Sequence, residues 1–154
     1  MHTFIAAFMA YLIPVHSAQG QARYEAIAAD IVAVAEAEPI DNDPLRTSLL
    51  LAAIAYRESQ FRHDVETCKV TGDGGKALGL WQTHSSDAVC RNRAEAARVA
   101  LRMVRRSLDV CQRLSPVDRL GMYTHGRCVR NNWHSRDRFK LVNSWLDAYL
   151  PEEM

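Results

Sequence analysis

The stretch from Asp43 to Phe61 constrains the fold more than any other part of the chain. Asp43 is suited to cap a helix, and Pro44 to take its first position, where a missing backbone N–H goes unnoticed. A helix from Pro44 to about Phe61 puts Leu51, Ile54, Ala55, Glu58 and Phe61 on one face. Glu58 therefore extends a stripe that should be buried. Partial burial disfavours an ionised carboxyl, the condition under which a general acid works near neutral pH. The plainer account of Glu58 is a helix-end carboxylate that reaches water or pairs with Arg57 or Arg62.

The chain has 154 residues, enough for one domain whose core needs no metal or oligomer for support. A formal net charge of +1 gives no global case for nucleic acid, and no nucleic-acid partner is expected. Arginine is nevertheless dense from Arg91 to Arg113. That face is either solvated or meets an anionic polymer, such as a cell-wall glycan carrying acidic peptides.

Residues 1–20 resemble a secretory signal peptide. The apolar run Phe4–Val15 is too short to span a bilayer, Pro14 breaks it, and Ala18, Gly20 and Ala22 offer small residues for cleavage, although no Lys or Arg precedes the run. On this reading the mature domain is 21–154, periplasmic or secreted, with no stable membrane insertion after cleavage. The alternative is a buried first helix of the domain.

Cys68, Cys90, Cys111 and Cys128 include no CxxC pair, which argues against a zinc knuckle or a thioredoxin-type motif. An even count beside an export signal suggests two disulfides. Three pairings are open, and Cys68–Cys90 with Cys111–Cys128 is the one expected. The first would bracket the glycine-rich segment and close a loop worth roughly 3 kcal/mol of chain entropy. Without export, four buried thiols would be the alternative. The histidines His63, His84, His125 and His134 show no ligand spacing, so no metal and no cofactor is expected.

Helices are expected at about Tyr24–Glu38, Pro44–Phe61, Arg93–Arg113, Ser115–Tyr123 and Arg138–Leu150. Between Arg62 and His84 the helical period is lost, and Thr-Gly-Asp-Gly-Gly-Lys is turn chemistry fit for a small hairpin or irregular loop. A polar loop is expected from Thr124 to Ser135. The fold class is thus α+β, predominantly α-helical, with a non-helical insertion directly after the suspected acid. Neither a phosphate-binding glycine loop nor a GxSxG elbow is present.

Glu58-Ser59 at the end of an apolar helix, Gly79-Leu80-Trp81-Gln82 some twenty residues later, and a Tyr-x-x-Gly element at Tyr123 together resemble the lysozyme-like superfamily. The likeness spans about Leu45 to Gly126 and is greatest to lytic transglycosylases and goose-type lysozymes. Those enzymes cleave the β-1,4 bond between N-acetylmuramic acid and N-acetylglucosamine, which makes peptidoglycan glycan strands the expected partner. The resemblance makes Glu58 the catalytic acid and Ser59 the serine whose hydroxyl helps fix the following loop. Gly79, Leu80 and Gln82 match the family's Gly-Leu-x-Gln, a segment that lines the sugar cleft, and Trp81 stands where Met is common. Tyr123 and Gly126 match Tyr-Asn-x-Gly, but Thr124 replaces the asparagine.

Trp81 offers either a flat face for a sugar ring or core packing between hairpin and helices. Gln82 is suited to bind an acetamido group or to orient Glu58. Asp73 precedes Gly79 by the interval of an aspartate that helps goose-type enzymes activate water, although Thr-Gly-Asp-Gly-Gly also favours aspartate for turn geometry alone. His84 stands roughly where those enzymes carry a further acid; it either lines the cleft or is an exposed loop residue. A transglycosylase using Glu58 twice, forming 1,6-anhydro products, is the primary expectation, and a muramidase helped by Asp73 the second. A third is a non-catalytic glycan-binding module of a secretion, conjugation or phage-tail apparatus.

Overall fold

A computed structural model describes residues 1–150; the end of the expected 21–154 domain, residues 151–154, lies outside them. The chain divides into two compact units, one of residues 1–100 and one beginning at Leu101. The described residues are mostly helical, with a single two-stranded antiparallel sheet.

In the first unit, α1 (His2–Leu12), α2 (Ala18–Ala37) and α3 (Pro44–Ser59) each touch the other two. Their shared core is built from Ile5, Phe8 and Met9 of α1, Ile27 and Ile31 of α2, and Leu49, Leu51 and Ile54 of α3, all essentially inaccessible. The apolar run at the N-terminus packs as helix α1 against α2 and α3. Ala18, Gly20 and Ala22 lie in the first turns of α2, which Ser17 caps by accepting the Gly20 N–H at 2.9 Å. The helix expected from Tyr24 therefore starts six residues earlier, because the cap and not the apolar spacing sets its beginning. No helix among the described residues is long and apolar enough to cross a membrane.

Asp43 caps α3 as expected, its Oδ1 accepting the Arg46 N–H at 2.8 Å. The helix stops at Ser59, short of Phe61, because Gln60 and Phe61 turn left-handed at φ 53° and 56°. Phe61 still reaches the core and meets Tyr24 edge-on, with ring centroids 5.4 Å apart. A short helix α4 (His63–Glu66) follows, then the hairpin of β1 (Ala77–Leu78) and β2 (Thr83–His84), with Ala77 opposite His84 and Leu78 opposite Thr83. Helix α5 (Arg93–Val110) begins in this unit, with Asn92 Oδ1 accepting the Glu95 N–H.

Glu66 ties these pieces together. Only 14% exposed, its carboxylate receives Arg23 of α2 at 2.5 Å and Arg93 of α5 at 2.7 Å, while Arg93 also reaches Asp30 at 2.8 Å. Arg23 further donates to the carbonyl of Phe61. A largely buried carboxylate held by two guanidinium groups meets the requirement that charge withdrawn from water be paired and hydrogen-bonded.

In the second unit, the end of α5 leads through a 3-10 turn at Pro116–Asp118 to α6 (Gly121–His125) and α7 (Trp133–Tyr149). Helix α5 ends at Val110 rather than Arg113. The Ser115 hydroxyl caps nothing and donates instead to Asp118. Helix α7 starts at Trp133 rather than Arg138, capped by Asn132, whose Oδ1 accepts the Ser135 N–H at 3.2 Å. Asp118 accounts for the shortened loop. Buried itself, it accepts the backbone N–H groups of Asn131 and Asn132 and both branches of the Arg136 guanidinium.

Both disulfides take the expected pairing, Cys68–Cys90 in the first unit and Cys111–Cys128 in the second. All four cysteines are thereby used, and none remains as a metal ligand.

Candidate active site

Glu58 lies in the last turn of α3 and is half-buried, between the buried Ala55 and Ser59. Of the two arginines expected as alternative partners, Arg62 pairs with Asp64 through both of its branches. Arg57 extends over the Tyr56 ring, 4.7 Å from its centroid. The Arg62 guanidinium holds the Asp64 carboxyl below the usual carboxylate range, chiefly through its hydrogen bond. The Ser59 hydroxyl donates to Ala55 O at 2.8 Å. That bond closes back on α3 itself.

Gly79-Leu80-Trp81-Gln82 forms the turn between β1 and β2. Gly79 sits at φ +73°, a conformation that favours glycine. Leu80 and Trp81 point inward, each 1% exposed. The indole N–H of Trp81 donates to Leu51 O on α3 at 2.8 Å. Sugar stacking on Trp81 is corrected accordingly: both ring faces are packed, and the core role is the one adopted.

That bond also fixes where the turn lies. Leu51 is seven residues before Glu58 on the same stripe, about 10 Å along the helix axis. The hairpin is therefore anchored to the acid-bearing face of α3. Its position is further limited by Cys68–Cys90, which closes the segment, and by Gln82. The Gln82 amide donates to Gly79 O at 2.9 Å and folds over Gly72, where a Cβ would come within 2.5 Å of its Oε1. Gln82 thus stabilises the hairpin from within.

Asp73 and His84, taken separately as candidates in the sequence, meet here. His84 Nε2 lies 2.8 Å from Asp73 Oδ2, and both side chains are well exposed, at 58% and 63%. Asp73 stands at φ 48° in the turn that opens the hairpin, so the turn geometry that favours aspartate there is also present. The pairing crosses the hairpin and joins residues eleven apart, a contact that local pattern does not reveal.

Tyr123 belongs to the second unit, half-buried on α6. Gly126 ends that helix in the left-handed conformation, φ +70°. Thr124, standing where the family has asparagine, accepts the Asn132 side-chain amide at 3.0 Å and donates to Leu120 O.

A polar cavity of about 350 Å³ opens elsewhere in the first unit, lined by Asp30, Glu66, Cys90, Arg91 and Arg93 among others. None of the sequence candidates lines it; Arg93 is already paired with Asp30 and Glu66, and Arg91 with Asp87. We assign it to the ion-pair network rather than to chemistry. Among the described residues no three His, Cys, Asp or Glu side chains are arranged to hold a metal ion.

Compared with family models, with curated proteins and with solved structures, the chain matches none.

Proposed function

We propose that the chain cleaves peptidoglycan glycan strands, at the β-1,4 bond between N-acetylmuramic acid and N-acetylglucosamine, as a lytic transglycosylase. The observation that carries this reading is the Trp81–Leu51 hydrogen bond, which holds the Gly-Leu-Trp-Gln turn against the face of α3 that bears Glu58. A half-buried carboxyl on the helix that anchors a disulfide-closed turn suits proton transfer to a sugar oxygen.

In the proposed reaction the Glu58 carboxyl protonates the glycosidic oxygen, and the bond from that oxygen to the muramyl C1 breaks. The substrate's own acetamido group supports the positive charge that develops at C1. The Glu58 carboxylate then takes the proton of the muramyl 6-hydroxyl as its oxygen attacks C1. A 1,6-anhydro ring forms, and Glu58 regains its proton. One acid thus serves both transfers, and no cofactor enters. Two disulfides fit an oxidising compartment, so the proposed setting is periplasmic or secreted.

The Asp73–His84 contact favours a second reading, a muramidase in which Asp73, held by His84, deprotonates a water. Digestion of purified peptidoglycan with wild type and with Glu58→Gln, followed by mass analysis of the muropeptides, tests both. Products one water lighter than hydrolytic ones are expected from wild type, and none from Glu58→Gln. New reducing ends would establish the muramidase instead. Turnover that survives the substitution would sink Glu58 as the acid, and an inactive wild type that still pellets with cell wall would establish a non-catalytic glycan-binding module.

A further inference from the structure

Trp133 is 66% exposed, although a side chain of its size normally gains from burial. Its ring is nevertheless held firmly. One side stacks on the His134 imidazole, with centroids 3.8 Å apart and planes inclined by 29°, and His134 in turn meets His125 edge-on at 5.2 Å. His125 Nδ1 lies 2.9 Å from the Thr124 hydroxyl, which also accepts the Asn132 amide. In the chain just before Trp133, Asn132 caps α7 and Asp118 gathers the N–H groups of Asn131 and Asn132. The second unit thus spends a buried carboxylate, a helix cap and two imidazoles on a backbone whose next residue presents an indole to water.

Charge narrows what such a platform would receive. Residues 101–154 carry ten Lys or Arg against six Asp or Glu. Arg127 and Arg130, in the loop that leads to Trp133, are exposed. A flat apolar face with exposed guanidinium groups three and six residues before it in the chain suits a ring with one apolar face and a nearby anion. A pyranose offers its axial C–H groups to an indole, and an acidic glycan supplies carboxylates to the arginines.

We propose that Trp133, backed by His134, is a binding platform for one sugar ring of an anionic glycan strand, with Arg127 and Arg130 meeting its carboxylates. The choice of a sugar over a nucleobase rests on the glycan-cleaving reading above. No residue of the platform belongs to the proposed proton-transfer machinery, and its contribution is to retain the polymer.

Binding without cleavage is the test. In a Glu58→Gln background, co-sedimentation with insoluble purified peptidoglycan is compared for Trp133 and for Trp133→Ala, Trp133→Phe and the pair Arg127→Gln with Arg130→Gln. Trp133→Ala should weaken binding roughly tenfold, and Trp133→Phe less, since a flat face remains. The double arginine variant should bind more weakly and lose most of its dependence on salt. Circular dichroism checks that each variant folds, as an exposed side chain allows. Unchanged pelleting of Trp133→Ala would overturn the platform while leaving the enzyme reading intact. Conversely, a wild type that releases no muropeptides, but whose pelleting still depends on Trp133, would overturn the enzyme reading and keep the platform. Binding of single-stranded DNA that depends on Trp133, with no pelleting on peptidoglycan, would overturn the sugar assignment.

Discussion

Replacing Asp118 by Asn keeps the shape of the side chain and removes its charge, which makes it a sharp probe of the second unit. The carboxylate, 5% exposed, accepts from Asn132 N at 3.0 Å and Arg136 Nε at 2.7 Å on Oδ1. On Oδ2 it accepts from Arg136 at 3.0 Å, Ser115 Oγ at 3.1 Å and Asn131 N at 3.2 Å. An amide converts one of those oxygens into a donor facing donors. Either orientation of the amide therefore loses two or three of the bonds. A hydrogen bond to a charged acceptor is worth about 1.5–3 kcal/mol, and the share due to Arg136 is discounted because that side chain is 47% exposed. The expected cost is about 3 kcal/mol, or about 10 °C in Tm for a chain of this size. The Arg136 hydrogen bonds, with the N–H groups of Asn132 and Asn131 and the Ser115 hydroxyl, hold the Asp118 carboxyl well below the usual carboxylate range, against the opposing pull of desolvation. A depressed folded value means that its contribution is complete above the unfolded value, near pH 4, and is lost as pH falls towards the folded one. Urea melts of wild type and Asp118→Asn, followed by circular dichroism, should show a constant gap from pH 8 to pH 5 that narrows below about pH 4. A gap under 1 kcal/mol at pH 7, or one that stays constant down to pH 3, would refute the reasoning.

Two further substitutions probe the two units. Phe8→Ala should cost about 3–5 kcal/mol in a urea melt, because the ring is fully buried between helices; a loss below 1 kcal/mol would mean that α1 is not part of the folded body. Gly121→Ala should lower stability by at least about 2 kcal/mol, since the added Cβ would come within 2.6 Å of Arg127 O and 3.0 Å of the Cys128 Cα, backbone that Cys111–Cys128 prevents from yielding. Wild-type stability in that variant would show that the loop after α6 moves freely.

What the sequence disclosed follows the range of the forces involved. Helix α3 was legible because its cap, its Pro and its apolar stripe are all local, and the sequential disulfides join cysteines 22 and 17 residues apart. The start of α7 was not, since it depends on Asp118, whose partners come from 13 to 18 residues away. An apolar run with helical spacing reads alike as a leader and as a core helix, and Phe4–Val15 carries no local feature that separates the two. The tryptophans show the same limit. Trp81, in the motif, is buried at 1%, and Trp133, in a polar loop by pattern, is exposed at 66%. Composition assigns them equal tendencies, and only tertiary contacts separate them. At the candidate site the sequence singled out Asp73 and His84, but their pairing across a hairpin requires the register of β1 with β2.

That pairing bears on which side chains are left for chemistry. Trp81 is occupied with Leu51 O, Gln82 with Gly79 O, and Ser59 with Ala55 O, so three of the residues that carry the resemblance act as frame. Asp73 directs Oδ2 at His84 from an exposed turn, its own side chain 63% accessible. A base that activates water for inversion must hold that water against the far side of a sugar, which asks for an enclosed and aimed carboxylate. Glu58, half-buried at the end of the core helix to which the turn is anchored, comes nearer to that description than Asp73 does. The frame therefore favours the proposal in which one carboxyl performs both proton transfers. His84→Ala separates the cases: under the transglycosylase proposal the yield of anhydro products should change less than twofold, whereas a muramidase relying on an Asp73 held by His84 should lose at least tenfold in new reducing ends.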